Sequence, residues 1–448
     1  MSAPGAPTWR RLAYAAPAFV LALPIIPVYL HLPRLYGVSV GWGLTVTGLV
    51  LLGARLFDTV SDPLVGWLSD RLRWRGLRRK PWIAVGALIA GPAMMQLLLP
   101  PAGAGTLHLL IWSVLLYAGW TMVSVPYLAW GAEWATDYHG RATLTGWREG
   151  FGLAGLVAAG AVMAAAGDGT APATGLHLLA WLALIGGAVT VPVLLVLVPE
   201  PPPPGSDHRA EGAGWRASLA NKLFLRLLVA WFVNGIANGV PAALFLLYLR
   251  HGLEVTAAEE GMFILAYFAA GILAIPLWLG LARRLGKHRA WALAMALACA
   301  AFITVPFLEA REILWFLGVC MITGMALGAD LALPPAIQGD VVDVDTWRHG
   351  QARAGTFFAL WSMATKLALA VAVGVALPSL AALGFDAAAV DAEGRLVLVV
   401  IYAVPAVVLK GIAVLLVWGF PLTGAKHAVV RRRLQRRAAA NRYGMEAG

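Results

Sequence analysis

Three long stretches of this chain carry no aspartate, glutamate, lysine or arginine: residues 12–33, 35–54 and 81–132. A bilayer-spanning helix needs roughly 20 mostly apolar residues. The first two runs each suffice for one span, and the third for two joined by the turn sequence PPAGAGT. Inside lipid the backbone finds no water to bond, so only helices and closed barrels can span. Barrel strands are segments of about ten residues with alternating hydrophobicity; these runs are longer and uniformly apolar. The sequence therefore predicts an all-α membrane protein. Composition agrees: 60% of the 448 residues are hydrophobic and 13% charged, where soluble domains average about 45–50% and about 25%.

Twelve spans are expected, at about 12–33, 40–67, 82–100, 106–131, 145–167, 174–198, 223–249, 259–282, 289–308, 313–335, 354–378 and 395–420. The first run is long for a signal peptide, lacks an A-x-A cleavage site and is followed by many more. Cytoplasmic loops are enriched in lysine and arginine. The loop after span two holds six (Arg71, Arg73, Arg75, Arg78, Arg79, Lys80), the loop after span eight four, and the C-terminal tail six more. Both termini are therefore expected to be cytoplasmic, and the formal charge of +11 reflects topology. It is scattered over separate inner segments, which argues against nucleic-acid binding. The segment EPPPPGSDHRAEGAGWRASLANK, 200–222, reads as a linker because its prolines favour an extended path. The expected organisation is a six-helix bundle over 1–199, a cytoplasmic linker over 200–222, a second bundle over 223–422 and a basic cytoplasmic tail over 423–448. The weaker basic loop after span eight echoes the one after span two, as in transporters built from repeats.

Within this apolar chain, ARLFDTVSDPLVGW, 54–67, holds Arg55, Asp58 and Asp62. On a helix these lie three and four apart and share a face. A charge near the bilayer centre costs about 2.5–3.5 kcal/mol on insertion scales, and two carboxylates repel each other besides. Such a pair persists if a cation, a proton or a basic side chain sits between them. The competing reading is an Arg55–Asp58 ion pair, with Asp62 marking the helix end before Pro63. Lys366 stands alone in FFALWSMATKLALAVAVG and either meets a buried acid or snorkels to an interface. Arg148 and Glu149 open span five, as a site pair or a helix-start pair. Lys410 in span twelve reads as structural or snorkelling. Asn234 and Asn238 share a face of span seven, facing a solute or joining helices.

Other signals resolve to packing. GFGLAG, 150–155, matches a dinucleotide fingerprint, which needs a preceding strand; here it lies within an apolar helix. Gly235/Gly239 and Gly324/Gly328 are small-residue pairs of the helix-packing kind. Cys299 and Cys320 lie in separate apolar segments and suggest neither a disulfide nor a metal site. The nine histidines show no metal-ligand spacing, and no P-loop, nucleophile elbow or other catalytic set occurs. An enzyme is not expected, nor any cofactor.

Twelve spans, a central loop and GWLSDRLRWRG resemble the major facilitator superfamily, whose loop after span two carries G-x-x-x-D-R/K; Gly66, Asp70 and Arg71 match. The chain is similar, more closely, to the glycoside–pentoside–hexuronide:cation symporters, the melibiose permease family. Four stretches carry this: ARLFDTVSDPLVGW with KPW, TMVSVPYLAW, DYHGRATLTGWREGFGLAG, and QGDVVDVDTWRHGQARAGTFFALWSMATK. The resemblance implies a major facilitator fold of two six-helix bundles in a bacterial inner membrane. It implies a coupling cation, Na⁺ or H⁺ with Li⁺ possible, at Asp58 and Asp62. Ser61 stands where an asparagine ligand is common, and Thr121 falls on a further ligand position. It places Arg148 and Lys366 at the solute site, and Asp340 and Asp343 at acids that bridge to basic residues of the other half when the cytoplasmic side closes. Arg141 is a candidate partner, with Asp70 and Arg71 in the same cytoplasmic gate.

The sugar-binding acids of spans one and four are missing: those positions are Ala22 and Ser124, and a span-one lysine position is Leu21. Charged hydrogen bonds are the strong ones, so a sugar would lose its firmest holds here. The expected function is cation-coupled symport of a small organic solute, a sugar or glycoside, by a monomer in the lipid bilayer. The alternatives are transport of an amphiphilic, lipid-like molecule, as in some relatives of these symporters, and a membrane scaffold or sensor.

Overall fold

The structure is a computed structural model. It describes residues 7–25, 27–28, 32, 35–36, 44–72, 74, 77–101, 103–135, 138–166, 172–201, 215–350, 353–385 and 391–446. Among these the molecule is almost entirely helical. One helix overlaps each expected span: α1 Thr8–Ala22, α2 Leu44–Arg71, α3 Lys80–Leu98, α4 Thr106–Trp134, α5 Tyr138–Ala166, α6 Pro172–Leu197, α7 Lys222–Leu247, α8 Ala257–Leu285, α9 Lys287–Thr304, α10 Ile313–His349, α11 Ala354–Ala382 and α12 Ala392–Trp418. The tail adds α13, Gly424–Glu446. Among the described residues, nine helices, α3, α4 and α6 to α12, are long and apolar enough to cross a membrane. α1 is 15 residues long, and α2 and α5 hold the ionisable residues treated below.

Helix ends follow local chemistry. Asn221 caps α7 by accepting from Leu223 N and Phe224 N, and Asp391 caps α12 by accepting from Gly394 N at 2.7 Å. Thr256 and Glu259 form a capping box at α8, which satisfies two orphan N–H groups reciprocally. Gly286, at φ 89°, ends α8. Proline breaks soluble helices but is tolerated in spanning ones, where neighbouring groups take up the freed carbonyl. Pro63 accordingly sits inside α2, which runs on to Arg71, so Asp62 does not mark a helix end.

The chain forms two compact units. The first comprises residues 1–218, 342–363 and 428–448, and the second residues 219–341 and 364–427. The first unit thus takes in the end of α10 and the start of α11. One apolar core of this unit gathers Leu97, Leu98, Leu109, Leu116 and Leu179. A second gathers Tyr14, Ile83, Tyr127, Trp130, Trp134 and Leu194. The second unit's core is aromatic, with Tyr248, Phe263, Phe302, Phe316 and Tyr402 and a stacked Tyr248–Tyr402 pair at 4.3 Å. Outward-facing leucines are bare: Leu88, Leu314 and Leu415 are 76%, 84% and 77% exposed. Apolar surface on this scale marks a membrane-facing exterior.

Small residues set the closest helix approaches. A Cβ on Gly324 would lie 2.2 Å from Tyr267 O, and one on Gly328 2.4 Å from Gly271 O, so α8 and α10 touch through backbone. Gly235 and Gly239 meet Ala368 and Ala372 of α11, and Gly155 meets Phe19 O of α1. The GFGLAG stretch is helix packing, carried by its last glycine.

Candidate functional site

The expected four cation-site residues come together inside the first unit. Asp58, Ser61 and Asp62 lie on one face of α2, as their spacing requires, and Thr121 of α4 meets them. All four are buried, Asp62 completely. Thr121 Oγ1 lies 3.1 Å from Asp58 Oδ1 and 2.8 Å from Asp62 Oδ1. Ser61 Oγ donates to Asp58 O at 2.9 Å and lies 3.4 Å from Thr121 Oγ1. A hydroxyl carries one proton, so Thr121 can donate to only one of the two carboxylates at a time. The side chain of Arg55 lies outside the described residues.

The signature residues of the loop after α2 form a second cluster, at the start of α11. Asp70 accepts from Gly355 N, Thr356 N and Thr356 Oγ1 at 2.8, 2.8 and 2.9 Å. A carboxylate at a helix N-terminus satisfies orphan donors and meets the positive end of the dipole. Gly66 makes room for it: a Cβ there would lie 2.5 Å from Gly355 O. Arg71 lies over the Trp67 ring at 4.2 Å.

Arg79 completes this cluster and was missed by the sequence reading as an individual residue. Fully buried, it donates to Ser69 Oγ at 2.9 Å, and to Asp70 and Glu133 at 2.7 Å each. Arg78 pairs with Glu133 at 2.6 Å. Glu200 accepts from the backbone N–H groups of Arg78, Arg79 and Lys80, capping α3. Burial lowers the Arg79 guanidinium, but Glu133 and Asp70 raise it further, holding it above the usual arginine value. The available signal was the pairing of six basic residues with acids at the ends of spans four and six.

Arg141 meets Asp343 at 2.8 Å and donates twice to Ala132 O. Asp343 also faces Arg431 of α13 at 3.5 Å. Asp340 pairs with Lys287 at 2.6 Å and His427 at 3.6 Å; these two partners belong to its own unit. Asp345 and Arg353, also missed, pair at 2.6 Å.

The expected solute residues fall in both units. Arg148 is buried and bonds its neighbour Glu149, beside Tyr14 and Tyr127. Those tyrosines clasp α1 to α4: Tyr14 Oη donates to Tyr127 O at 3.0 Å, and Tyr127 Oη donates to Tyr14 O. Ser124 is half-buried one turn after Thr121. Ala22 is buried, and a Cβ on Gly155 would lie 3.0 Å from its Cβ, so it serves helix packing. Lys366 is half-buried in α11, within the second unit. Leu21 lines an apolar cavity of about 440 Å³ with Leu88, Trp120 and Leu184.

A bundle of long apolar helices holding buried carboxylates defines an integral membrane protein with an ionisable site in its interior. Residues 12–424 match the family model described as MFS/sugar transport protein, and the chain belongs to that family, within the major facilitator superfamily. The melibiose-permease resemblance is consistent with it. The symporter sll1374 of Synechocystis is 21% identical over 96% of this chain and 97% of its own. The sodium-dependent lysophosphatidylcholine symporter 1 of mouse is 24% identical over 74% and 70%. Among solved structures, a bacterial homologue of the iron transporter ferroportin, in its outward-facing state, superposes with TM-score 0.70 at 15% identity, covering 92% of this chain and 98% of its own. At that identity the likeness speaks for the fold alone.

Proposed function

We propose that the chain is a cation-coupled symporter of a small organic solute. It works by alternating access between two six-helix bundles, with both termini in the cytoplasm. The observation that carries the reading is the Thr121 hydroxyl shared between Asp58 and Asp62. Two buried carboxylates that share one hydroxyl gather negative charge in a low-dielectric place, where their mutual repulsion is strong. Na⁺, a hard cation that prefers oxygen ligands, matches an all-oxygen set of two carboxylates and two hydroxyls; a proton on either carboxylate relieves the same charge. Neutralising the pair raises affinity for solute, and by reciprocity solute raises affinity for the cation by the same factor. The clusters at Asp70 and at Arg141–Asp343 serve as the cytoplasmic gate, opened and remade in each cycle.

A sugar or glycoside is the first reading of the solute, supported by the family description and by the Arg148–Glu149 pair, which offers hydroxyl groups both a donor and an acceptor. An amphiphile is the second. It is favoured by Ala22, packed where a sugar-binding acid would stand, and by the lysophosphatidylcholine symporter among the relatives.

The test is thermal stabilisation of the purified protein by Na⁺, at constant ionic strength with choline, across a pH series. A ligand at a hundredfold excess over Kd stabilises by about 2.7 kcal/mol. A Na⁺ shift present in the wild type and absent in Asp58→Asn is expected. A pH shift removed by that variant, without a Na⁺ shift, assigns H⁺ instead. Neither shift in the wild type would sink the coupling proposal. Methyl glycosides and lysophospholipids added with the cation then separate the two solute classes.

A further inference from the structure

The second unit buries a charged group that the coupling scheme does not use. Lys410 of α12 is 4% exposed, Asp330 of α10 2%, and Asn234 of α7 0%. Lys410 Nζ donates to Asn234 Oδ1 at 2.8 Å and Asn238 Oδ1 at 2.7 Å. An ammonium only donates, so both amide oxygens must face it, which fixes the orientation of both amides. Asn238 Nδ2 then donates to Asp330 Oδ2 at 2.8 Å, and Trp291 Nε1 donates to Asp330 Oδ1 at 2.6 Å.

The geometry of this cluster leaves donors unused. Both Asp330 oxygens are engaged. Lys410 has three N–H groups; two make bonds of normal length, and Asp330 Oδ2 lies 3.7 Å from the nitrogen, beyond hydrogen-bond reach. The Asn234 amide nitrogen is buried with no acceptor among the described residues. Interhelical bracing explains the bonds that are made but not the donors left over.

Lys410, Asp330 and Asn238 also line a cavity of about 320 Å³ whose remaining wall is mostly apolar, with Phe245, Phe302 and Phe316. That volume is at the small end of ligand cavities, which run about 300–1,000 Å³. A polyol would bury several hydroxyls against phenylalanine. An anion would add charge to a group that Lys410 and Asp330 already balance, in a place where unpaired charge is costly.

We propose that this cavity is a ligand site for a compact apolar molecule bearing one neutral oxygen acceptor, an aryl or alkyl alcohol, ether or ketone. The oxygen accepts from Lys410 Nζ and the apolar body lies against the phenylalanines. The site requires neither Asp58 nor a coupling cation, so it stands apart from the symport reading.

The experiment is ¹⁹F NMR of the full chain in lipid nanodiscs with three matched probes: 2-(4-fluorophenyl)ethanol, 4-fluoroethylbenzene, which lacks the oxygen, and 4-fluorophenylacetate, which is anionic. Empty nanodiscs report partition into lipid. Saturable binding of the alcohol is expected, at least tenfold tighter than that of the hydrocarbon or the acid, and unchanged in Asp58→Asn. Lys410→Met is expected to weaken it at least tenfold. Because that variant also leaves Asp330 without its counter-ion and so disturbs folding, a second variant, Ala242→Phe, narrows the cavity from an exposed part of its wall without touching the polar cluster. Loss of binding in Ala242→Phe with an unchanged melting temperature supports the site. Binding that does not saturate, or that survives Ala242→Phe, overturns it. Equal binding of the hydrocarbon or the acid overturns the assignment of a neutral acceptor.

Discussion

Removing the Thr121 hydroxyl while keeping its shape isolates its contribution. In Thr121→Val the two carboxylates of α2 lose the hydroxyl they share. Cation affinity falls if the hydroxyl is a ligand, and rises if it only screens the pair. With the hydroxyl as a ligand, the expected outcome is a Na⁺-dependent melting shift reduced in Thr121→Val and largely retained in Thr121→Ser. The Asp70 cluster gives a sharper prediction. Breaking a buried ion pair by removing one partner costs about 3–5 kcal/mol. Arg79→Met leaves Glu133 to Arg78 alone and strips one donor from Asp70, so a loss in that range is expected in thermal or denaturant unfolding. Much of this was legible in the sequence. Asp58 and Asp62 declare themselves by their cost in lipid, and Asp70 by its signature. The partners did not: Asp70 bonds Gly355 N, 285 positions away, and nothing in either stretch alone states that pairing. Arg79 was one of six similar basic residues, and only burial distinguishes it.

Among the helices, close approach depends on glycines that the sequence marks but does not rank. Gly324 and Gly374 look alike in composition, each within a long apolar helix. A Cβ at Gly324 would lie 2.2 Å from a carbonyl oxygen, whereas nothing lies within 4 Å of one at Gly374. Overpacking costs about 1–3 kcal/mol, so Gly324→Ala is expected to destabilise by that amount. Gly374→Ala is expected to be neutral or stabilising by up to about 1 kcal/mol, since glycine in a helix interior is itself unfavourable. Melting temperatures of the two variants in one detergent check the contrast. Helix positions were legible because charge-free runs and span length are set by the bilayer. Helix ends were less so. α10 runs to His349 and α5 starts at Tyr138, beyond the expected spans 313–335 and 145–167, because polar residues continue a helix once it has left the apolar region. At 37 residues α10 is about 55 Å long, well over the roughly 30 Å hydrocarbon core.

For the whole molecule, the first compact unit is not a contiguous half of the chain. Residues 342–363 and 428–448 belong to it and supply Asp343 to Arg141 and the N-terminus of α11 to Asp70. A fragment of residues 1–218 expressed alone is therefore expected to be degraded or to melt well below the same fragment co-expressed with residues 219–448; equal melting temperatures would refute this. The linker expected at 200–222 lies mostly outside the described residues, and the return of later segments to the first unit was not legible, since their contacts are made by side chains and backbone hundreds of positions apart.

The Tyr14–Tyr127 clasp has a mechanical consequence. Each hydroxyl is tied to the other residue's carbonyl, and the rings sit 4.8 Å apart. A Cβ at Gly131 would fall 1.9 Å from the Tyr14 oxygen, so no larger residue can enter the joint. Two crossed bonds across one contact resist sliding and rotation alike. α1 and α4 are therefore pinned to each other at one joint. A displacement of α4 at Thr121 meets Pro126, which interrupts the helix's own hydrogen bonding, before it reaches that joint six residues along.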